Sequence, residues 1–245
     1  MKTRLDSLLV ARGLAETRSK AAALIMAGQV LVNGVPVTKA GTAVQSDAEI
    51  LVKELPKHVS RAGGKLEAAL DAFGIDVAGM TVIDIGASTG GFVDEVLQRG
   101  AVRVYAVDVG HGQLHWKLRN DPRVVNLEGV NARTLDPALI PDPCDLATFD
   151  VSFISLKLVI PPVLKVLRSG SHIVALVKPQ FEAGREHVGK GGLMKDLQIA
   201  QDIIHDMKEF LMALNCGVSG SIPSPVKGVK GNQEYLVHAV YKGER

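Results

Sequence analysis

Short apolar runs alternate with amphipathic segments along most of the chain. Five runs rich in β-branched residues predict buried parallel strands; they cover residues 80–83, 102–107, 124–127, 144–149 and 172–177. Two further apolar runs, at 216–222 and 234–241, close the chain. Strands that alternate with helices predict an α/β fold, in which helices cover both faces of a mostly parallel sheet.

The first 52 residues have a different pattern, with short helices followed by a hairpin. Apolar stripes predict helices at 4–12 and 17–27, each followed by a glycine. Asn33-Gly34 lies between two apolar runs, and both residues tolerate the positive φ angles of a tight hairpin turn. We predict a small α+β domain at 1–55, a linker at 56–60 and a larger α/β domain at 61–245.

Two stretches interrupt the regular pattern of the larger domain. Pro161 and Pro162 lie in the helical segment after the strand at 144–149, and they predict a break or a late start of that helix. Residues 183–195 carry four glycines among charged residues, which predicts a mobile substrate loop.

Charge is unevenly distributed, although the chain has a net charge of only +2. Residues 1–61 contain nine basic and five acidic residues, a net charge of +4, whereas the rest contains 19 and 21, a net charge of −2. We call residues 1–61 the basic head. Its positive charge, next to a nearly neutral remainder of the chain, predicts that the head contacts a polyanion.

Cysteine content and the N-terminus bear on cellular location. With only Cys144 and Cys216, we favour buried thiols in a reducing compartment over a disulfide framework. The N-terminus lacks the apolar core of a signal peptide, and no apolar run approaches the roughly 18 residues of a membrane span. We therefore expect a cytoplasmic protein with no membrane association. The sequence leaves the oligomeric state open, with a monomer favoured.

The clearest candidate for a ligand-binding loop is the segment DIGASTGGF at 84–92, which joins a strand to a helix. This geometry aims backbone N–H groups at a ligand. The glycines follow G-x-x-x-G-G rather than the dinucleotide fingerprint G-x-G-x-x-G, and Asp84 would repel a pyrophosphate. S-adenosylmethionine, which carries an ammonium group and no phosphate, fits better. A generic nucleotide-binding domain is the alternative.

Two polar residues extend this candidate site. Asp108 ends the next strand, where a carboxylate can accept both ribose hydroxyls of an adenosine, although it could instead cap the following helix. Asn131 follows the strand at 124–127. Contact with the adenine and a loop cap are equal alternatives for Asn131.

Four charged residues should face one crevice beyond the strand ends: Lys65, Asp150, Lys178 and Glu234. A structural ion-pair network is one interpretation. The other is methylation of a ribose 2′-hydroxyl, a weak nucleophile that must be oriented and deprotonated. Lys178 would then take the proton, with Asp150 and Glu234 holding its amino group. Lys65 would pin the hydroxyl or a phosphate, and we expect much of the rate to come from orientation.

A metal site is not predicted. His111 and His115 would share a face if they lay on one helix, as metal ligands can. No third ligand with suitable spacing is evident, so a polar rim is the favoured interpretation.

The basic head resembles the alpha-L RNA-binding motif, which is shared by a small-subunit ribosomal protein, pseudouridine synthases and tyrosyl-tRNA synthetases. The matching segments are Arg4-Leu5-Asp6, Leu8-Leu9, Ser19-Lys20-Ala21 and Val32-Asn33-Gly34. The resemblance implies that the second helix and the hairpin grip an RNA backbone by charge and shape. The candidate RNA-binding residues are Arg4, Arg12, Arg18 and Lys20.

Motifs over the rest of the chain resemble those of the TlyA family, which are FtsJ-like methyltransferases fused to an alpha-L module. They are SRAGGK at 60–65, DIGASTGGF at 84–92, DVG at 108–110, GQL at 112–114, DVSFISL at 150–156, KPQFE at 178–182 and GNQEY at 231–235. The resemblance implies a Rossmann-like class I methyltransferase sheet of seven strands, the last antiparallel. It also implies S-adenosylmethionine as donor and 2′-O-methylation of cytidine in ribosomal RNA.

The same resemblance implies roles for individual residues. The catalytic tetrad would be Lys65, Asp150, Lys178 and Glu234. The cofactor would contact Asp84, Gly86, Ala87, Ser88, Thr89, Gly90, Gly91, Phe92, Asp108, Val109 and Asn131. Phe153 would lie near the cofactor or the target base, and Arg61 and Arg133 near RNA. The chain resembles the shorter family members, which favours a large-subunit target and leaves small-subunit modification open.

Two rival functions belong to other classes. Family members are often named haemolysins, which would make the protein membrane-active, but the sequence shows neither a signal peptide nor a spanning segment. The other rival is a non-catalytic ribosome-assembly factor that binds RNA with the same fold. RNA binding without methyl transfer would favour it.

Overall fold

The chain forms two compact units, Met1–Lys57 and His58–Arg245. The structure is a computed structural model, and it describes residues 2–53, 57–183, 189, 193–194, 197–228 and 231–243. Most of the predicted loop at 183–195, and Pro56 of the predicted linker, lie outside the described residues.

The N-terminal unit packs two helices against short strands. Its elements are β1 (Lys2–Arg4), α1 (Leu5–Ala11), α2 (Arg18–Met26), β2 (Val30–Val32), β3 (Val35–Pro36), β4 (Ala43–Gln45) and β5 (Ile50–Val52). β1 pairs with β4, and β2 lies between β3 and β5. The Thr17 hydroxyl caps α2 by accepting the Lys20 N–H. Asn33 and Gly34 have φ angles of 50° and 78°, so the predicted hairpin is confirmed.

The larger unit alternates strands and helices. Its elements are α3 (Gly63–Phe73), β6 (Thr81–Ile85), α4 (Gly91–Gln98), β7 (Arg103–Asp108), α5 (Trp116–Arg119), β8 (Val124–Glu128), β9 (Cys144–Phe149), α6 (Leu156–Leu164), β10 (Leu167–Val177), α7 (Pro179–Glu182), α8 (Leu197–Ala213), β11 (Cys216–Pro223) and β12 (Tyr235–Tyr241). In the described ranges, no helix has both the length and the apolar character that crossing a bilayer requires.

The sheet has seven strands in the order β11-β12-β10-β9-β6-β7-β8. β12 is antiparallel to both of its neighbours, whereas the pairs among β10, β9, β6, β7 and β8 are parallel. The predicted α/β fold with an antiparallel last strand is therefore confirmed. The strand order reverses at β6, which has β7 on one side and β9 on the other, and such a point opens a crevice beyond the carboxyl ends of the strands.

Helices bury both faces of this sheet. Successive residues of β6 enter opposite core clusters: Ile83 and Ile85 pack in the cluster that contains buried residues of α6 and α8, and Val82 packs in the cluster with those of α3 and α4. A central parallel strand covered on both faces needs apolar residues at consecutive positions. This is why the strands appear in the sequence as continuous apolar runs.

The two prolines do not interrupt their helix. Pro161 and Pro162 lie inside α6, which starts at Leu156 with Ser155 as its cap, so the predicted break or late start is wrong. The carbonyls left without a helical N–H partner belong to the exposed residues Lys157 and Leu158, where water can bond to them. The opposite face of α6 is buried in the core, and this packing stabilises the helix.

Candidate active site

A cavity of about 620 Å³ lies at the carboxyl ends of β6, β9 and β10. Gly86, Asp150 and Lys178 directly follow these three strands and line the cavity. Ile85 and Phe149 are neighbours in the parallel register, and the Asp150 N–H donates to the Ile85 carbonyl over 2.9 Å. The cavity therefore occupies the crevice at which ligands of this kind of sheet bind.

The glycine loop between β6 and α4 forms one wall. Gly86, Ser88 and Gly90 have φ angles of 84°, 47° and 93°. A Cβ atom at Gly86 would lie 2.7 Å from the backbone carbonyl oxygen of Asp150. Only glycine satisfies both the backbone conformation and this close approach.

Gly86→Ala is expected to destabilise the protein by about 3 kcal/mol, because it adds a backbone collision to left-handed strain. Gly79→Ala is the matched control, since Gly79 has a φ of 76° and open space around its Cβ position. That variant should lose only about 1 kcal/mol. Urea unfolding of the three proteins gives both free energies, and equal losses would show that the collision with Asp150 is unimportant.

Asp84 is a buried carboxylate in the cavity wall. Its Oδ1 accepts a hydrogen bond of 2.7 Å from the Thr148 hydroxyl, and among the described residues its buried Oδ2 has no hydrogen-bond partner. Burial raises the pKa of Asp84 to about 7, the Thr148 hydrogen bond lowers it, and the charges of Asp150 and Asp108 add to the increase. A buried acceptor of this kind fits a cationic donor such as an ammonium group.

Asp108 is fixed to the glycine loop. Its two carboxylate oxygens accept the Ser88 N–H over 2.8 Å and the Gly110 N–H over 2.7 Å. Asn131 caps a short 3-10 turn by accepting the Arg133 N–H over 3.0 Å, so the structure displays the loop-cap alternative. Of the predicted cofactor residues, the cavity lining lacks Gly90, Asp108, Val109 and Asn131.

The four charged residues predicted to converge all line the cavity. They form two ion pairs, Lys65 with Glu234 and Lys178 with Asp150, each with an N–O distance of 2.6 Å. We expected Glu234 to hold Lys178, and the pairing of Glu234 with Lys65 corrects that arrangement. The expected partners could not be distinguished from sequence because residues 65 and 234 come from distant parts of the chain.

Other residues of the cavity did not stand out in the sequence as site residues. They include Ser60, Ser152, Gln180, Phe181, Gly228 and Asn232. Ser152 follows Asp150 by two residues, and Gln180 and Phe181 come just after Lys178, so proximity to the charged residues was the available signal. Phe153 is 90% exposed with a φ of 65°, and its ring centroid lies 4.9 Å from that of Phe181.

The predicted RNA-binding residues of the N-terminal unit have intramolecular partners. Arg4 donates twice to Asp6, over 3.0 and 2.7 Å, and Arg18 donates to the same carboxylate over 3.2 Å. The Arg4 guanidinium holds the pKa of Asp6 well below its usual range. Arg12 donates to the carbonyls of Ser46 and Ala48, which gives it a role in the fold, and Lys20 pairs with Glu16.

Two further predicted RNA-binding residues belong to the larger unit. Arg61 is exposed and lines the cavity, whereas Arg133 is exposed and lies outside the lining. These positions bring Arg61, but not Arg133, to the cavity itself.

The possible metal ligands are His111 with His115, and the group of His58, Glu67 and Glu95. His111 and His115 do not share a helix face, because α5 begins at Trp116 and His115 is its cap. Within the described residues, His58, Glu67 and Glu95 bring ligand atoms within 4.8 Å of one another. The Glu95 carboxylate already contacts His58 over 2.6 Å and Arg99 on its other oxygen. Both oxygens of Glu95 therefore already have side-chain partners within the described residues.

The sheet order, the antiparallel β12 and the glycine loop after β6 define a methyltransferase of the Rossmann-like class. The sequence profile of the FtsJ-like methyltransferase family matches residues 58–241, and that of the S4 domain matches residues 3–50. The chain, which joins these two domains, belongs to the TlyA family.

Three relatives illustrate this membership. The 16S/23S rRNA (cytidine-2′-O)-methyltransferase TlyA of Mycobacterium tuberculosis is 45% identical, over 96% of this chain and 89% of the relative. Hemolysin A of Brachyspira hyodysenteriae is 45% identical, over 97% and 99%. A solved structure described as a hemolysin from Streptococcus thermophilus is 44% identical with a TM-score of 0.75, and the match covers 99% of this chain and 90% of that chain.

Proposed function

We propose that this protein transfers a methyl group from S-adenosylmethionine to the ribose 2′-hydroxyl of a cytidine in ribosomal RNA, with the large-subunit RNA as its target. The observation that carries the proposal is the convergence of two largely buried lysine–carboxylate pairs on the cavity that has the glycine loop as one wall.

The cavity fits this cofactor. The Oδ2 of Asp84, which has no hydrogen-bond partner among the described residues, would accept a hydrogen bond from the ammonium group of the methionine moiety. Asp108, held by the loop, would accept the ribose hydroxyls. Bound S-adenosylmethionine supplies a methyl group on a positively charged sulfur, which is open to attack by an oxygen nucleophile.

The residues of this chain would prepare the nucleophile. A ribose hydroxyl loses its proton far above neutral pH, so it needs a group that orients it and accepts the proton as the carbon–oxygen bond forms. Lys178 would do both, and the proton would pass from the 2′-oxygen to its Nζ. Lys65, fixed by Glu234, would hold the hydroxyl or an adjacent phosphate. Fixed geometry of this kind supplies a large part of the rate.

Ribosomal RNA is the substrate that the N-terminal unit and the relatives favour. The S4 match covers residues 3–50, and residues 1–61 carry a net charge of +4. The relative from Mycobacterium tuberculosis is named for both 16S and 23S rRNA and for cytidine 2′-O-methylation. Arg61 lies at the cavity, where it would meet the RNA backbone at the target nucleotide.

The test uses purified protein, methyl-labelled S-adenosylmethionine and ribosomal subunits from cells that lack this modification. We expect label in the large-subunit RNA, and a methylated ribose will make the adjacent phosphodiester bond resistant to alkaline hydrolysis. Label on a base would contradict the ribose chemistry. If neither subunit nor their assembly intermediates accept label while RNA still binds, the protein is an assembly factor.

The name Hemolysin A of one relative makes membrane activity the second candidate. Release of a trapped dye from liposomes by nanomolar protein would support it. No release at concentrations that methylate subunits completely would exclude it.

A further inference from the structure

The amino group of Lys178 has two hydrogen-bond acceptors on neighbouring residues. Its Nζ lies 2.6 Å from Oδ1 of Asp150 and donates to Oγ of Ser152 over 2.9 Å. The Lys178 side chain is only 9% exposed, and the residue lines the cavity. Two directions around the nitrogen are therefore occupied by protein atoms, and a third is left for the cavity.

The number of acceptors around Nζ matters because the nitrogen of a lysine amine is tetrahedral. The neutral amine has two N–H bonds and one lone pair, and the charged form has three N–H bonds. In the neutral amine, either of the two N–H bonds can point at a single acceptor, so the lone pair can take either of the two remaining positions around Nζ. Two acceptors in fixed positions, Asp150 and Ser152, engage both N–H bonds, so the lone pair points in one direction.

We propose that Ser152 is a positioning residue for Lys178. By accepting one N–H bond, it aims the lone pair of Nζ at the ribose 2′-oxygen, so that the proton moves from that oxygen to Nζ during methyl transfer. This inference rests on the proposed function and adds to it a residue outside the Lys65, Asp150, Lys178 and Glu234 set.

The loop that carries Ser152 is held on both sides. Before it, Asp150 pairs with Lys178. After it, the Glu182 carboxylate accepts the Ser155 hydroxyl and the Leu156 N–H, the latter over 2.8 Å. The segment between β9 and α6 is thus fastened to the segment that begins at Lys178.

Backbone strain occurs at the adjacent residue. Phe153 has a φ of 65°, which is uncommon for a bulky side chain and persists only where the surroundings hold it. The helix α6 does not need Ser152, since Ser155 is its cap. The strained turn at Phe153 is therefore not explained by the start of α6. We attribute it to the placement of the Ser152 hydroxyl beside Lys178.

Three variants test the proposal in the subunit methylation assay. Ser152→Ala should lower kcat about tenfold, the effect of one lost hydrogen bond to an amine that becomes charged as it takes up the proton, with KM for subunits and for S-adenosylmethionine unchanged within twofold. Ser152→Thr keeps the hydroxyl at an exposed position and should retain at least half of kcat. Ser169→Ala is the matched control, because it removes a 3.0 Å bond from a serine hydroxyl to the Lys242 carbonyl outside the cavity lining; it should match the wild type.

The outcomes distinguish failure of the proposed function from failure of this inference alone. Wild-type protein that transfers no methyl group overturns the proposed function and this inference with it. Active wild-type protein with an unimpaired Ser152→Ala variant overturns the inference alone. The inference is also overturned if Ser152→Ala raises KM and leaves kcat unchanged. The same holds if kcat is as low in Ser152→Thr as in Ser152→Ala. Either result indicates a general disturbance of the loop.

Discussion

Lys178→Ala is expected to lower the rate of methyl transfer about a thousandfold, a typical cost for losing a positioned proton acceptor. The substitution removes the group that would orient the 2′-oxygen and leaves the Asp150 carboxylate without its 2.6 Å partner. Affinity for S-adenosylhomocysteine should stay within about threefold, because Lys178 is not part of the glycine loop. Single-turnover transfer of labelled methyl groups to ribosomal subunits measures the rate, and calorimetry measures the affinity.

Two companion variants make the Lys178 result specific. Lys165→Ala removes the same charge from an exposed lysine at the end of α6 and should leave the rate unchanged. Lys178→Arg keeps a positive charge but cannot accept a proton near neutral pH, so it should be nearly as slow as the alanine variant. Fast transfer by Lys178→Arg would mean that orientation alone drives the reaction, and fast transfer by Lys178→Ala would exclude the assigned role.

Asp84→Asn is expected to weaken the binding of S-adenosylhomocysteine roughly a hundredfold at pH 8, because it replaces a charge-assisted contact with the ammonium group. In the free protein, burial raises the pKa of Asp84 to about 7. An ammonium partner stabilises the ionised carboxylate and lowers that pKa in the complex. Below pH 7, binding must therefore release a proton, and the affinity should fall up to about tenfold per pH unit. Above pH 7 the affinity should level off.

Calorimetry between pH 5.5 and 8.5 tests this dependence. The Asp84→Asn variant should show weak affinity that hardly changes with pH. Asp202→Asn removes a carboxylate from the exposed surface of α8 and should reproduce the wild-type curve. A wild-type affinity that stays constant from pH 5.5 to 8 would rule out an ionised Asp84 as the ammonium acceptor.

The sequence predicted the architecture well because each strand of the larger unit is buried on both faces. Such strands must be apolar at consecutive positions, and residues 173–177 of β10 are an example. The convergence of Asp150 and Lys178 was also predictable, since residues after parallel strands meet at one edge of the sheet. The hairpin was predictable from two residues alone, because Asn33 and Gly34 tolerate the positive φ angles of its turn.

Contacts between distant residues were harder to predict. Which carboxylate pairs with Lys65 depends on where the loop before β12 lies relative to α3, and periodicity carries no such information. Arg12 is basic like its neighbours, yet its donors reach carbonyls more than 30 residues away. Pro161 and Pro162 argued against a helix on local grounds, but the buried face of α6 outweighs two lost hydrogen bonds.

The cluster of Arg4, Arg18 and Asp6 has a consequence for how ionic strength will act on the proposed binding of RNA. Cations that bind RNA phosphates release the counterions condensed on the nucleic acid, and affinity falls with added salt in proportion to their number. Arg4 and Arg18 share the Asp6 carboxylate, so the cluster carries one net positive charge rather than two. The N-terminal unit should therefore show a shallower salt dependence than its count of arginines suggests, and shape should contribute a correspondingly larger share of its affinity.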